Sequence, residues 1–286
     1  MIGPARRYAC DPVQTLTEIK ALLEARALRP RHALGQNFLA DHNLIRKLVD
    51  ESGAAAGDLV LEIGPGTGTL TEELLQRGCR VVACELDPQL AQLNRDRLGG
   101  DPNFSLIEGD CLDGKHALNP EIVRAVSAGP FRLVANLPYG AASAVMAILA
   151  MDFADCLGQF VTIQREVGER LRARPGTKDF GELGVVVQSV CEVRRIAALP
   201  PECFWPRPEV TSEMCAIVRL PKGRERTRDA RALARLCRTV FTQRRKQIGT
   251  TLGRGFPFPA GIDPSLRPEQ LAIEQFEALA AIMRRE

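Results

Sequence analysis

Residues 136–139 read Asn-Leu-Pro-Tyr, directly after the apolar run 131–135, and their types and order suit methyl transfer to a planar exocyclic amine. The amine of a nucleobase is a weak nucleophile because its lone pair is delocalised into the ring. The Asn136 side-chain oxygen and the Leu137 carbonyl, the latter held in place by Pro138, can both accept from one NH2 group. Two acceptors on one nitrogen favour a pyramidal geometry with the lone pair aimed at a methyl donor. Tyr139 adds a ring face on which a base can stack. The plainer alternative is a strand closing in an Asn/Pro turn; the sequence upstream favours the chemical reading.

Residues 59–63, Leu-Val-Leu-Glu-Ile, precede Gly64-Pro65-Gly66-Thr67-Gly68. The pattern predicts a buried strand, a glycine-rich turn and a helix opening near Thr69 that passes through Leu74 and Leu75. Gly64 and Gly66 let a ligand approach the backbone where a Cβ would stand in the way. The spacing departs from the dinucleotide fingerprint, whose third glycine lies deeper in the helix and serves a pyrophosphate. A second strand, 80–84, ends in Glu85-Leu86-Asp87, and an acid there, roughly 20 residues past the glycines, suits the two hydroxyls of a ribose. A third, 104–107, ends in Glu108-Gly109-Asp110, where Asp110 can accept from an adenine amino group. The fourth delivers Asn136. In an open parallel sheet such strand ends border one crevice. The set fits a nucleoside without phosphates that carries a reactive group, hence S-adenosyl-L-methionine rather than NAD. Glu62 is open to two readings: it faces the amino-acid end of that cofactor, or it merely neighbours the turn.

With these motifs in this order, the chain resembles the ribosomal RNA adenine dimethyltransferases, and among them the housekeeping small-subunit enzymes. The likeness runs from Leu34 to the C-terminus. Gly35-Gln36-Asn37-Phe38-Leu39 is similar to the family's N-terminal cofactor segment, 62–68 to its glycine motif and 136–139 to its catalytic motif. Gln164-Arg165-Glu166-Val167, Phe204-x-Pro206-x-Pro208-x-Val210, Gln243-Arg244-Arg245-Lys246 and Gly261-Ile262-Asp263-Pro264 also fit. The resemblance implies N6,N6-dimethylation of two adjacent adenines near the 3′ end of small-subunit ribosomal RNA, with that RNA or a pre-30S particle as partner. It implies cofactor contacts from Gln36, Asn37, Leu39, Gly64, Gly66, Glu85, Asp110 and Asn136, and catalysis by Asn136, Leu137, Pro138 and Tyr139. Substrate contacts are implied for Tyr139, Phe204, Arg244, Arg245 and Lys246, with Phe204 stacking on the target base. Two departures bear on how that base is held. The family usually has Asn-Ile-Ser after the tetrad, and this chain has Gly140-Ala141-Ala142-Ser143; after Val210 the family commonly has Asp-Ser, and here Thr211-Ser212 follows.

The elements that must position these residues are legible from periodicity. Residues 15–28 show helical spacing of Leu16, Ile19, Leu22 and Leu23, either a core-covering helix or a lid. A capped helix is expected at 41–49, then, beyond the fourth strand, a helix at 143–150, a strand at 159–163 and a helix at 166–172. A polar, glycine-rich loop is expected at 178–184, and strands at 185–190 and 212–220 should form an antiparallel hairpin edge. Pro221-Lys222-Gly223 marks a boundary, beyond which the chain is helical and basic: Arg224, Arg226, Arg228, Arg231, Arg235 and Arg238 precede Arg244-Arg245-Lys246. Leu233, Leu236, Cys237, Val240 and Phe241 mark the buried stripe. The basic face is either a solvated surface or a phosphate-binding one. The expected fold class is therefore α/β, a Rossmann-like methyltransferase sheet followed by a small C-terminal helical domain. The division is 1–33 (N-terminal helical extension), 34–221 (cofactor-binding catalytic domain) and 222–286 (basic RNA-contacting domain).

Composition narrows the function classes. The 286 residues are 45% hydrophobic with a net charge of +3, ordinary for a globular protein, so any nucleic-acid contact rests on local clustering. No run is long enough to cross a bilayer, and no signal-peptide core follows Arg6 and Arg7. Nine scattered cysteines without a Cys-x-x-Cys pair suggest a reducing cytoplasm rather than a disulfide framework or zinc site. His32, His42 and His116 are far apart, and the chemistry requires no metal. A monomer is expected. The rivals are a large-subunit methyltransferase conferring macrolide resistance, a DNA adenine methyltransferase, a non-enzymatic assembly or transcription factor on the same fold, and an NAD oxidoreductase.

Overall fold

The computed structural model describes residues 14–31, 34–227 and 229–283. Residues 1–13, with Arg6, Arg7 and Cys10, and also His32 and Arg228, lie outside the described residues.

Thr15 opens the first helix, α1 (Leu16–Glu24): its side chain accepts from the Glu18 amide while Glu18 accepts from the Thr15 amide at 2.6 Å, a capping box. The helix is shorter than the 15–28 expected, because the chain turns at Ala27, whose φ is 53°. Ile19 and Leu23 pack with Phe38, Leu90 and Leu93, so α1 covers core. After β1 (Phe38–Leu39), Asp41 accepts from the Asn43 and Leu44 amides and starts α2 (His42–Ser52).

Then β2 (Leu59–Ile63), α3 (Thr69–Gln76), β3 (Arg80–Glu85), α4 (Pro88–Leu98) and β4 (Phe104–Glu108) alternate. All five residues of β2 are buried, as a parallel strand covered on both faces requires. A small ladder of β5 (Leu112–Asp113) with β6 (Ala117–Leu118) and α5 (Pro120–Val126) lead to β7 (Phe131–Asn136). Next come α6 (Tyr139–Asp152), β8 (Cys156–Gln164), α7 (Arg165–Arg172), α8 (Glu182–Val190), β9 (Cys191–Leu199), β10 (Phe204–Trp205) and β11 (Ser212–Arg219). The chain ends in α9 (Ala230–Thr242), α10 (Ile248–Leu252) and α11 (Ile273–Met283).

Seven strands form one sheet in the order β4-β3-β2-β7-β8-β11-β9, parallel from β4 to β8, with β11 antiparallel to both neighbours. Strand order reverses between β2 and β7, and at such a switch point the loops part to leave a crevice. Two apolar clusters fill the faces of the sheet: Leu61, Leu133, Met146 and Leu149 belong to one, Leu48, Val60, Leu74 and Val134 to the other.

One element differs from the expectation in type. Residues 185–190 form the body of α8, not a strand, and the expected 178–184 loop ends at Gly181. Leu183, Val186, Val187 and Val190 recur at helical spacing, and α6, α7 and α9 pack around them. Burial among helices outweighs the strand preference of the valine run. The hairpin edge exists, but β9 supplies its outer strand.

The basic helix also starts later than Arg224: Asp229 caps α9 by accepting from the Ala232 amide at 2.8 Å. Leu233, Leu236, Cys237 and Val240 are buried, and Phe241 stacks on Phe276 with ring centroids 5.5 Å apart. Ala173, Phe180 and Val185 share this third cluster, so α9 and α11 pack against α8.

Candidate active site

The carboxyl ends of β2, β3, β4 and β7 open into one cavity, roofed by residues 34–39. It is lined by Gln36, Asn37, Leu39, Gly64, Gly66, Glu85, Asp110 and the whole Asn136-Leu137-Pro138-Tyr139 tetrad. The glycine turn is placed by necessity of space. Gly64 has a φ of +73°, and a Cβ there would stand 2.9 Å from Pro138 Cγ; a Cβ on Gly66 would meet the Phe38 ring at 2.9 Å. Only glycine lets the turn and the tetrad close on each other.

Asn136 ends β7, and its Nδ2 donates to the Asn37 carbonyl at 2.8 Å. A carbonyl can only accept, so the amide must present its nitrogen there, and Oδ1 remains as the free acceptor. The Leu137 amide donates to the Thr162 carbonyl at 3.2 Å, while the Leu137 carbonyl receives no backbone hydrogen bond among the described residues. Pro138 precedes α6 and its carbonyl accepts from the Ala141 and Ala142 amides, so the tetrad is pinned by β8 on one side and α6 on the other. The Tyr139 hydroxyl lies 2.9 Å from Ser212 Oγ. Burial raises the Tyr139 phenol, with the Ser212 hydrogen bond acting against it.

Glu85 is 6% exposed, and its two oxygens accept from the Gly66 amide at 3.1 Å and the Asp87 amide at 2.9 Å. Burial raises its carboxyl above the ordinary value, and those amides hold it back. Asp110 is exposed at the rim, one oxygen accepting from the Leu112 amide. Gln36 lines the cavity with its amide engaged elsewhere: it accepts from the Arg31 amide and donates to Asp87. It braces the roof against the β3 end.

Glu62 is fully buried and accepts from the Thr71 hydroxyl at 2.7 Å; burial, with the Glu85 carboxylate adding to it, pushes its carboxyl up to about 8. Glu62 therefore enters neutral solution protonated. Its folded value exceeds the ordinary 4.5, so its contribution to stability is complete below about 4.5 and is lost as pH rises towards about 8. Glu62→Gln keeps an acceptor for Thr71 and removes the titration. Its stability advantage over the native protein should grow by up to about 1.4 kcal/mol per pH unit across that window and then level off. Denaturant unfolding at pH 5, 6.5 and 8 measures this, and an advantage independent of pH would contradict it.

Among the described residues no lysine, arginine or histidine lines this cavity, whereas Glu62, Glu85 and Asp110 do. A pyrophosphate would find no cationic partner among them; a cationic nucleoside would find the carboxyl groups of Glu85 and Asp110. With backbone exposed at Gly64 and Gly66 and an acid past β3, the residues fit S-adenosyl-L-methionine. Sequence reasoning missed several members. Leu86, 50% exposed between two acids, offers the cavity an apolar face. Asn94 is fully buried on α4 and donates to the Gly66 carbonyl at 2.8 Å, holding the turn. Its signal was a polar residue four positions after Leu90 on an apolar face.

Phe204 is not brought to the cavity. It pairs with Leu39 in the β10–β1 ladder, and its ring is 4% exposed, packed with Leu39, Leu199 and Met214. Arg245 and Lys246 are exposed after α9; Arg244 is half-buried, donating to the Thr177 carbonyl at 3.2 Å and lying 3.7 Å from Glu269. The basic stretch is also partly neutralised by acids distant in sequence: Arg231 grips Asp152 through two bonds of 2.6 Å, and Arg238 lies 3.5 Å from Glu182. A second groove is floored by Ala144, Ala147, Ile148 and Met151 of α6 and rimmed by Lys115, Arg170, Arg231, Arg235 and Arg238. Lys115 and Arg235 form no ion pair among the described residues.

Among the described residues no cluster of three His, Cys, Asp or Glu is arranged for a metal, and no helix is long and apolar enough to cross a membrane.

Residues 27–276 match the family described as ribosomal RNA adenine dimethylase. The chain is 38% identical over 268 residues to the ribosomal RNA small subunit methyltransferase A of Magnetococcus marinus, covering 92% of this chain and 95% of that one. It is 36% identical over 288 residues to the protein of the same name from Moorella thermoacetica, covering 96% and 99%. In fold it is similar to a dimethyladenosine transferase from Plasmodium falciparum (TM-score 0.69, 21% identity, 87% and 98% covered). The 23S rRNA methyltransferase ErmE shares that fold (TM-score 0.60, 24% identity, 87% and 100% covered). With a match across nearly its whole length and a cavity built for a cationic nucleoside, the chain belongs to the ribosomal RNA adenine dimethylase family, whose enzymes are S-adenosylmethionine-dependent methyltransferases.

Proposed function

We propose that this protein transfers methyl groups from S-adenosyl-L-methionine to N6 of two adjacent adenines near the 3′ end of small-subunit ribosomal RNA, giving N6,N6-dimethyladenosine. The observation that carries the chemistry is Asn136: its donor is engaged by the Asn37 carbonyl, and its acceptor is left for an amine. The curated relatives carry small-subunit names, which supports the choice of RNA.

When bound, the cofactor supplies a methyl group on a sulfonium leaving group. Asn136 Oδ1 and the Leu137 carbonyl accept the two N6 hydrogens and direct the nitrogen lone pair in line with the methyl carbon. Tyr139 carries the adenine ring on its face. The cofactor would supply the methyl, its sulfur keeping the electron pair of the S–C bond, and the proton shed by N6 would leave to water, since among the described residues no dedicated base flanks the tetrad. The reaction runs twice on each base. Of the residues lining the cavity, Glu85 would hold the ribose, Asp110 the adenine amino group, and Leu86 would cover the adenine ring. Phe204 stacks on the target only if β10 shifts. The partner is small-subunit RNA within a pre-30S particle, met by a monomer in the cytoplasm.

Lys115 and Arg235 on the α6–α9 groove, with Arg245 and Lys246 beyond α9, supply phosphate contacts. Replacing Lys115 and Arg235 together by alanine should weaken RNA binding and reduce the slope of log affinity against log salt by about 1 to 2. Filter binding across a salt series tests this, and an unchanged slope removes both residues from the interface.

Transfer of labelled methyl to unmodified small subunits, with large subunits and DNA in parallel, tests the whole reading. Dimethyladenosine from small subunits alone is expected. Label on large subunits would move the protein to the resistance branch, and cofactor binding without transfer would make it an assembly factor.

A further inference from the structure

Tyr139 is held by a residue that lies 73 positions away in sequence: its hydroxyl and Ser212 Oγ are 2.9 Å apart. We propose that Ser212 is a positioning residue for methyl transfer, its hydroxyl anchoring the Tyr139 phenol and thereby fixing the position of the ring on which the target base stacks. The inference rests on the reading of Tyr139 as that stacking surface.

Ser212 is a firm anchor. It is 2% exposed and begins β11, flanked by Gln164 of β8 and Leu199 of β9, so its backbone is fixed from both sides. The preceding Thr211 carbonyl accepts from the Arg165 amide at 3.0 Å, which ties the entrance of the strand to α7. Among the described residues the Ser212 hydroxyl has no partner but Tyr139.

Tyr139 needs such an anchor in this chain. It is the first residue of α6, half-buried at the cavity wall, and the residues after it are Gly140, Ala141 and Ala142. None of these three residues carries a side chain larger than a methyl, so the turn after Tyr139 offers no polar partner of its own to the phenol. Free rotation of an aromatic platform would spread the bound amine over many orientations, of which few line up with the methyl donor. The hydrogen bond to Ser212 limits the swing of the ring by holding its phenol oxygen, and Ser212 does not line the cavity.

Ser212→Ala and Tyr139→Phe each delete this one hydrogen bond while keeping the ring. Each should lower kcat on small subunits about tenfold and leave cofactor affinity unchanged. The double variant should be no slower than the slower single, because both remove the same bond. Ser212→Thr restores a hydroxyl and should recover most of kcat. Ring-labelled tyrosine gives a readout independent of turnover. The chain has two tyrosines, so Tyr139→Phe assigns the Tyr139 signal, and Ser212→Ala should shift that signal and not the other. Tyr139→Phe leaves β11 untouched, so it tests the tether even if Ser212→Ala folds poorly.

Multiplicative losses in the double variant, or an unmoved Tyr139 signal, would overturn the proposal. So would a Ser212→Ala variant that loses cofactor affinity as much as kcat. Tyr139→Ala at native kcat is a different result: it would refute the stacking role itself, and with it the function of the tether.

Discussion

Asn136→Ala is expected to cut kcat by about 10²- to 10³-fold, the loss typical when one preorganised hydrogen-bonding group is taken from a reacting centre. The size follows from the double use of the amide. Its nitrogen holds the Asn37 carbonyl at 2.8 Å and so keeps the cavity roof on the tetrad, and its oxygen is the acceptor left for the amine. Alanine removes both, so cofactor affinity should also fall, but by less than kcat. Asn136→Asp separates the two uses. A carboxylate keeps an acceptor but cannot donate to Asn37, so it should retain more turnover at saturating cofactor than alanine does and bind the cofactor more weakly than the native protein. Single-turnover transfer and calorimetry on the two variants give the comparison. Native turnover in Asn136→Ala would end the catalytic assignment.

The second large effect is on binding. Glu85→Ala should raise the cofactor Kd by about 10- to 100-fold, with kcat at saturating cofactor nearly unchanged. Glu85 is the acceptor for the Gly66 and Asp87 amides, and its removal frees the glycine turn and the start of α4 together. Gly66 and Glu85 both line the cavity. Asn94 still holds the Gly66 carbonyl, so the turn should loosen rather than unfold. Isothermal calorimetry decides, and an unchanged Kd would show that the acid is only a brace.

The parallel strands were legible because β2 and β7 are short apolar runs bounded by glycine, proline or a polar residue, and strand length separates such runs from helices. The α8 segment was not, because three consecutive valines carry a strand preference that only the packing of α6, α7 and α9 overrules. The basic stretch of α9 illustrates the same limit for charge. Read along the chain it has few acids, yet Asp152 and Glu182 come from α6 and α8 to meet Arg231 and Arg238. Local sequence records which charges neighbour each other on one element and not which charges the fold brings across.

The chemical character of the cavity was written in local residue order: a glycine turn, acids and an Asn-Leu-Pro-Tyr tetrad, each at the end of a strand, where side-chain type and short-range spacing decide what can be bound. The tertiary structure decided how those groups are used. Asn37, 99 residues from Asn136, accepts from the Asn136 amide nitrogen and so leaves its oxygen turned away. The β10–β1 ladder buries Phe204, and β11 brings Ser212 under Tyr139. The physical reason is that an acceptor's orientation, a ring's exposure and a carboxyl's protonation are set by contacts between distant segments, which exist only once the sheet has assembled.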